Sequence, residues 1–454
     1  MASSTGQSLR RRLIGGGAWA LGGKGAALGL NFVAMAMVTR LLDVGSVGVY
    51  QLAQSVALAT ALVARLGLDN TAVYLVSKAM AEGLPGRARR VVRTVLVLGA
   101  AGALAAWILL SFGGLDVLGR LAGHGGYARL PLIATAMGVW GAAIAVQILS
   151  SEVFRGFHAI REAVVFGGVV SGVLTVAALA VLGITEGHLS LTTAAWTTSG
   201  CMAVSAVVGL VALVRHARTL GAPASGDGYA VVLRRSLPVL VSNVMTYVLT
   251  NVDVWIVGGF LSERELALYA TPAKLVTLIG VSFMIANQVL PPLIGELAAR
   301  NDKPLMERTL RGTAFVVGIP SMAVVLVFTL VGGPLLRIVF GPAYAAGAPV
   351  LALLCIGQTA NILTGSSLFA LLMTGHGVAA MWISGTMGLL AIAACLVAVH
   401  LWGAVGVAAA VSAVIVVQQI VTLLAARRLV GVWTHVSVSA AAGELRRMLA
   451  SRRR

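Results

Sequence analysis

Charged side chains are scarce in this chain. Of its 454 residues 11% are charged and 59% are hydrophobic, and the mean hydropathy is +0.95. A soluble protein of ordinary composition carries about a quarter charged residues. So few charges exclude an ordinary soluble surface, and the chain is predicted to be a polytopic membrane protein.

Cysteine is also rare. The three cysteines, Cys201, Cys355 and Cys395, all fall within apolar segments. Single thiols at these spacings match neither a disulfide framework nor the paired ligands of a metal site. The composition therefore gives no support to a disulfide-rich or metal-centred protein.

Long apolar runs, in contrast, are abundant. A membrane-spanning helix needs about 20 mostly apolar residues, and twelve such runs can be placed. They are approximately residues 14–39, 47–79, 91–112, 131–151, 163–183, 191–214, 237–260, 267–297, 312–333, 346–373, 378–399 and 403–425. The second and the eighth are longer than a bilayer requires, which predicts a kink or a cytoplasmic extension in each. The first run is too long for a signal peptide and is interpreted as an uncleaved helix.

Acidic residues number 15 against 33 basic ones, a net charge of +18. In a soluble chain this excess would suggest binding to nucleic acid. Here one set of alternate loops holds 24 basic residues and the other set holds five. Basic loops remain in the cytoplasm, so both termini are predicted to be cytoplasmic. Because this asymmetry accounts for most of the charge, no nucleic-acid partner is expected.

The least hydrophobic connection between runs predicts the domain organisation. Residues 221–235 include the small-residue segment Gly221-Ala-Pro-Ala-Ser-Gly-Asp-Gly228 and are interpreted as a flexible cytoplasmic connector. A six-helix lobe is predicted before the connector, at 1–220. A second six-helix lobe is predicted after it, at 236–426, followed by a basic cytoplasmic tail at 427–454.

A weak internal repeat relates the two halves. Leu42–Tyr50 matches Leu261–Tyr269 at an offset of 219 residues, and each segment joins the first two spans of its half. Six spans per half preserve the topology, so the pseudo-twofold axis is expected along the membrane normal. The predicted fold is an all-α protein with 12 transmembrane helices in two six-helix lobes.

One predicted span has a polar face. It is the seventh span, at 237–260. When its residues are placed on a helix at 100° per residue, one half of the helix surface carries Ser242, Asn243, Thr246, Tyr247, Thr250, Asn251 and Asp253. An ionisable residue in a membrane helix is costly and usually faces a bundle interior or a wet cavity. We interpret this face as one wall of an aqueous space, with hydrogen bonding between helices as the alternative. Asp253 could bind a coupling H+ or Na+, or neutralise a lysine.

Basic residues interrupt three other predicted spans, at Lys24, Arg65 and Lys274. Cations on three helices are costly unless they meet water or an anion, and a diphosphate suits such a site. Lys24 lies about ten residues into its span, where lipid exposure is least tolerable. Two alternatives remain: Arg65 could only pair with Asp69, and Lys274 could extend to the membrane surface.

Uncharged polar residues accompany these cations. Asn31 shares a helical face with Lys24, and Gln51 and Gln54 share one with Arg65. They are candidates, with Asn243, Tyr247 and Asn251, for hydrogen bonding to a sugar. Asp69 joins Asp253 as a candidate for ion coupling.

Nothing in the predicted external loops indicates catalysis. The first is only about Asp43 to Ser46 and lacks the paired carboxylates expected of a membrane glycosyltransferase, while the loop at 113–130 offers Asp116 and His124 without companions. The chain is therefore not expected to be an enzyme or to hold a cofactor. Its last twenty residues combine arginines with Leu445 and Leu449 and predict either an interfacial helix on anionic lipid or a solvated tail.

Several segments, in order and spacing, resemble the polysaccharide-transporter (Wzx-type) flippases of the multidrug/oligosaccharidyl-lipid/polysaccharide (MOP) exporter superfamily. The segments are Gly15–Trp19, Thr39–Tyr50, Leu66–Asn70, Asn251–Leu261, Tyr269–Lys274 and Pro334–Tyr344. The resemblance implies two lobes forming a V, a central cationic cavity and alternating access. Lys24, Arg65 and Lys274 occupy places similar to those of basic cavity residues in related lipid II flippases. An acidic residue that those relatives carry near the start of helix two has no counterpart here.

The main functional hypothesis is a flippase for an undecaprenyl-diphosphate-linked glycan in the bacterial cytoplasmic membrane, for surface polysaccharide synthesis. A polysaccharide polymerase and glycosyltransferases are candidate partners. One alternative is a drug/cation antiporter of the same superfamily, whose cavity should be acidic. Another is a membrane enzyme of glycan assembly, which should have a large external loop.

Overall fold

The computed structural model of the protein describes residues 2–112, 126–222, 228–283 and 302–437, with a few residues between 290 and 300. Every regular element in these ranges is helical. Ten of the helices described are long and apolar enough to cross a membrane, so the chain is a multi-pass membrane protein, as its low charge predicts.

The chain forms two compact units. The first comprises Met1–Asn251 with Ser262–Arg264, and the second comprises Val252–Leu261 with Glu265–Arg454. The helices of the first unit are α1 (Ala2–Leu41), α2 (Val44–Ala64), α3 (Leu68–Ala81), α4 (Pro85–Ser111), α5 (Ala134–Gly156), α6 (Ile160–Glu186) and α7 (Leu191–Arg218). Helix α8 (Tyr229–Phe260) begins in the first unit and ends in the second. Its start lies within residues 221–235, the segment predicted as a connector.

Helix α5 is central to the first unit and packs against α2, α3, α4 and α7. Close packing requires small residues, and a side chain on Gly141 would lie 3.2 Å from the Ala57 carbonyl oxygen. Such contacts hold membrane helices together because lipid removes the hydrophobic drive for association. Trp140 is 1% exposed and its ring centroid lies 5.4 Å from that of Tyr50. The Tyr50 hydroxyl forms a 2.8 Å hydrogen bond with Thr198, which joins α2 to α7.

The over-long second span predicted at 47–79 is broken, as its length predicted. Leu66 and Gly67, between α2 and α3, have positive φ angles of 52° and 70°. A Cβ on Gly67 would also overlap the carbonyl oxygen of Ser236 in α8. Glycine is thus required at position 67 both by backbone conformation and by the close approach of another helix.

In the second unit, the observed helices differ from the predicted spans at two places. Besides the end of α8, this unit contains α9 (Glu263–Val276), α10 (Lys303–Phe340), α11 (Ala348–Thr364), α12 (Ser367–Met373) and α13 (Gly377–Ala425); the first two residues of α9 belong to the first unit. The single span predicted at 346–373 is wrong, because Gly365, with φ of 67°, separates α11 from α12. The spans predicted at 378–399 and 403–425 both lie in α13, where Gly403, with φ of 58° and ψ of −145°, interrupts the helical geometry.

The segment 431–437, after α13, packs on α10 and α11. The Thr434 hydroxyl donates a 2.8 Å hydrogen bond to the Thr364 carbonyl oxygen, and Arg311 Nη2 lies 3.2 Å from His435 Nε2. Burial, and then the charge of Arg311, lower the pKa of His435. The rest of the predicted basic tail, and Asp116 and His124 of a loop predicted to be external, lie outside the described residues.

Candidate functional site

Five ionisable side chains of the first unit are linked by two ion pairs and by electrostatic interactions that centre on Glu152. Glu152 of α5 interacts electrostatically with Lys24 of α1, with Asp69 of α3 and with Arg155 of α5. Arg65 interacts with both Asp69 and Glu152. We call Lys24, Arg65, Asp69, Glu152 and Arg155 the charge cluster. It contains three cations and two carboxylates, so its formal charge is cationic.

The break between α2 and α3 positions the first ion pair of the cluster. Arg65 follows the last residue of α2, and Asp69 lies in the first turn of α3, where a carboxylate is favoured by the helix dipole. Arg65 Nη1 lies 2.8 Å from Asp69 Oδ2, and the side chains are only 11% and 13% exposed. The pairing that was the alternative interpretation of Arg65 is therefore present in the structure.

Sequence reasoning missed the second ion pair. Arg155 Nη1 lies 3.1 Å from Glu152 Oε1, with 18% of the glutamate side chain exposed. The predicted fourth span ended at residue 151, which placed both residues outside the membrane helix, whereas α5 continues to Gly156. The only signal in the sequence was the three-residue spacing of opposite charges directly after an apolar run.

Lys24 completes the cluster from α1. It is partly buried, and a Cβ on the preceding Gly23 would overlap the side chain of Val164 in α6. Among the described residues, Lys24 is the cation of the cluster that has no carboxylate partner at ion-pair distance. Asn31, two turns further along α1, is exposed and donates a 2.8 Å hydrogen bond to the Ala27 carbonyl oxygen.

The polar face of α8 makes hydrogen bonds of two kinds. Tyr247 donates to the Ser55 carbonyl oxygen of α2 at 2.8 Å, which is a bond between helices. Asn251 donates to the Tyr247 carbonyl oxygen of its own helix at 3.0 Å, and Thr246 and Thr250 also donate to carbonyl oxygens of α8. Such bonds back to the helix satisfy polar groups in apolar surroundings.

The other candidates for sugar binding differ in burial. Gln51 of α2 is buried, at 2% exposure. Gln54 of the same helix and Asn243 of α8 are partly buried. The structure thus places these three amides in the first unit, on the two helices that Tyr247 links.

The second unit contains the remaining predicted site residues. Tyr269 of α9 donates a 2.7 Å hydrogen bond to Asp253 Oδ2, and Tyr269 itself is fully buried. Lys274 is partly buried on α9, and its carbonyl oxygen accepts a 2.6 Å hydrogen bond from Thr277. Asp253 therefore has a phenol partner that the sequence did not indicate. No cluster of three or more His, Cys, Asp or Glu side chains suited to a metal occurs in the described parts of the chain.

Comparisons with known proteins place these features in context. Residues 13–298, more than half of the chain, match the family described as "Polysaccharide biosynthesis protein". A search of curated proteins gives no significant match.

Solved structures show the same fold. The chain is similar to an inward-facing multidrug resistance MATE family transporter of the MOP superfamily, with a TM-score of 0.75 and 16% identity over 89% of this chain and 94% of that chain. It is also similar to a MOP superfamily transporter from Pyrococcus furiosus, with a TM-score of 0.62 and 15% identity over 92% and 95%. A mutant of the Vibrio cholerae MATE transporter VcmN gives a TM-score of 0.61 and 16% identity over 93% and 97%. Identities this low establish the fold alone.

Proposed function

This chain belongs to the polysaccharide biosynthesis protein family and has the fold of MOP-superfamily transporters, and we propose that it is a lipid-linked oligosaccharide flippase. Its cargo is an undecaprenyl-diphosphate-linked glycan, moved from the inner to the outer face of the bacterial cytoplasmic membrane by alternating access. The proposal includes twelve transmembrane helices, two six-helix lobes and cytoplasmic termini. Glycosyltransferases would act before it and a polysaccharide polymerase after it.

The charge cluster is the observation that supports this cargo best. Two of its three cations, Arg65 and Arg155, are paired with carboxylates, and the excess positive charge falls to Lys24. A cation within a membrane span is stabilised by an anion, and a lipid diphosphate supplies one. We assign diphosphate attraction chiefly to Lys24 and Arg65, and retain Lys274 of the second unit as a further candidate.

The hydrogen-bonding residues suit a glycan. Asn31, Gln51, Gln54, Asn243, Tyr247 and Asn251 offer amide and hydroxyl groups, which are the groups that recognise sugar hydroxyls. For coupling to an H+ or Na+ gradient, Asp253 is preferred to Asp69, because Asp69 already pairs with Arg65.

Reconstituted protein tests the proposal against the antiporter alternative. Proteoliposomes would carry a fluorescent prenyl-diphosphate-linked oligosaccharide in the inner leaflet, and its arrival in the outer leaflet would be followed with a membrane-impermeant quencher. The same vesicles would be tested for uptake of an organic cation such as ethidium. We expect flipping of the glycan lipid and no accumulation of ethidium; the reverse result would identify a drug/cation antiporter.

A further inference from the structure

A second basic feature of the first unit shares no residue with the charge cluster. A groove of about 450 Å³ runs between α4, α5 and α7, a volume in the range of small-molecule sites. Apart from Arg89, Arg93 and Arg218, every residue lining it is valine, leucine, alanine or glycine. The groove is therefore an apolar cleft whose lining contains positive charges and no carboxylate.

The three arginines lie at one end of the groove. Arg89 and Arg93 belong to the first turns of α4, and Arg218 is the last residue of α7. The Arg89 guanidinium donates a hydrogen bond to the carbonyl oxygen of Gly221, just beyond α7. This bond holds the start of one helix beside the end of the other. The distribution of basic residues predicts that this end faces the cytoplasm.

The groove extends from these arginines into the apolar part of the unit. Along α4 its lining runs from Arg89 to Ala100, about 16 Å at the rise of an α-helix. That distance is about half the hydrocarbon thickness of a bilayer. The groove is thus as long as one leaflet is deep, with its charges at the surface end.

The charge and the shape of the groove together favour one class of ligand, an anionic lipid. Arg93 and Arg218 are exposed, and neither is paired with a carboxylate among the described residues. Basic sites between membrane helices on the cytoplasmic side suit anionic lipid head groups. Apart from its arginines, the lining has no polar side chain that could bind the sugars of a lipid-linked glycan.

We propose that this groove binds an anionic phospholipid, with its phosphate between Arg93 and Arg218 and one acyl chain along Val97, Ala100 and Val214. The site is separate from the predicted lipid contacts of the basic tail, and it does not depend on the cargo proposed above.

Native mass spectrometry of the detergent-purified full chain tests this site. The protein would be titrated with dioleoyl phosphatidylglycerol and, separately, with dioleoyl phosphatidylcholine. The test variant is R93A/R218A. Its matched control is R90A/R215A, which removes two exposed arginines from the same ends of the same helices but leaves the groove lining intact. Ala100→Phe fills the groove without changing any charge.

We expect preferential binding of phosphatidylglycerol, weakened about 30-fold in R93A/R218A and unchanged in the control. Ala100→Phe should lose the lipid while eluting as the same monodisperse protein. Equal loss in both arginine pairs would show general surface attraction and overturn the proposal. So would equally tight binding of glycerol phosphate, which lacks acyl chains, or displacement of the phospholipid by equimolar undecaprenyl phosphate.

Discussion

Arg65 Nη1 and Asp69 Oδ2 lie 2.8 Å apart across the break between α2 and α3, and both side chains are nearly buried. Removing one partner of such a pair leaves an isolated buried charge, whereas removing both avoids that cost. We predict that R65A and D69A each lose about 3–5 kcal/mol of stability and that R65A/D69A loses less than either. Thermal unfolding in detergent measures this.

The same double variant separates a structural role of Arg65 from a role in transport. If Arg65 only neutralises Asp69, folded R65A/D69A should flip the glycan lipid as fast as the wild type. We expect slower flipping, because the Arg65 guanidinium can hydrogen-bond a phosphate directly and alanine cannot.

A second prediction concerns Gly67. Gly67 and Gly83 have the same φ of 70°, but a Cβ meets the Ser236 carbonyl oxygen at Gly67 and nothing within 4 Å at Gly83. Gly83→Ala should therefore cost only the left-handed backbone strain, about 1–2 kcal/mol. Gly67→Ala should cost more, because α8 must also move away. The yield and melting temperature of the two purified variants measure the difference. Equal losses of stability would mean that the close approach of α8 does not restrict the residue at position 67.

A third prediction concerns the coupling of flipping to an H+ or Na+ gradient. If Asp253 carries the coupling ion, Asp253→Asn should abolish the dependence of flipping on an imposed H+ or Na+ gradient while downhill movement continues. Tyr269→Phe removes the 2.7 Å hydrogen bond but leaves the carboxylate, so coupling should persist with an altered pH dependence. Asp302→Asn is a suitable control, because Asp302 caps α10 and asparagine also caps helices. Gradient-driven flipping by Asp253→Asn would exclude this role.

His435 gives a prediction about pH. Burial and the nearby charge of Arg311 lower its pKa, although Glu307 acts in the opposite direction. The unfolded chain, with an ordinary histidine pKa of about 6.5, then binds a proton more readily than the folded protein. Stability should be complete above about pH 6.5 and fall as the pH drops below it.

His435→Gln provides the comparison for this pH effect, because glutamine offers Arg311 an acceptor and does not titrate. Melting temperatures between pH 7.5 and pH 5.5 should decline more steeply in the wild type than in this variant. Parallel curves would show that His435 does not contribute.

The sequence predicted the fold best where local composition decides it. Low charge and long apolar runs gave the membrane helices, and the excess length of residues 47–79 gave the break near Gly67. The break at Gly365 was missed because the chain has 54 glycines, and an apolar run does not reveal which of them adopts a positive φ.

The candidate site was less predictable for a different reason. Helical spacing could relate Arg65 to Asp69, which are four residues apart. It could not relate Lys24 to Glu152, because their interaction depends on how α1, α5 and α6 pack. The contact of Asp253 with Tyr269 likewise joins two helices across a turn.

The most direct test of the account is the flipping rate of Lys24→Glu in proteoliposomes that contain the prenyl-diphosphate-linked oligosaccharide. Lys78→Glu is the matched control, since Lys78 is a lysine of the same unit with a side chain 47% exposed. A charged hydrogen bond contributes about 1.5–3 kcal/mol, so we predict flipping at least about tenfold slower in Lys24→Glu and nearly normal in Lys78→Glu. Wild-type flipping by a folded Lys24→Glu protein would contradict the claim that the charge cluster attracts the diphosphate.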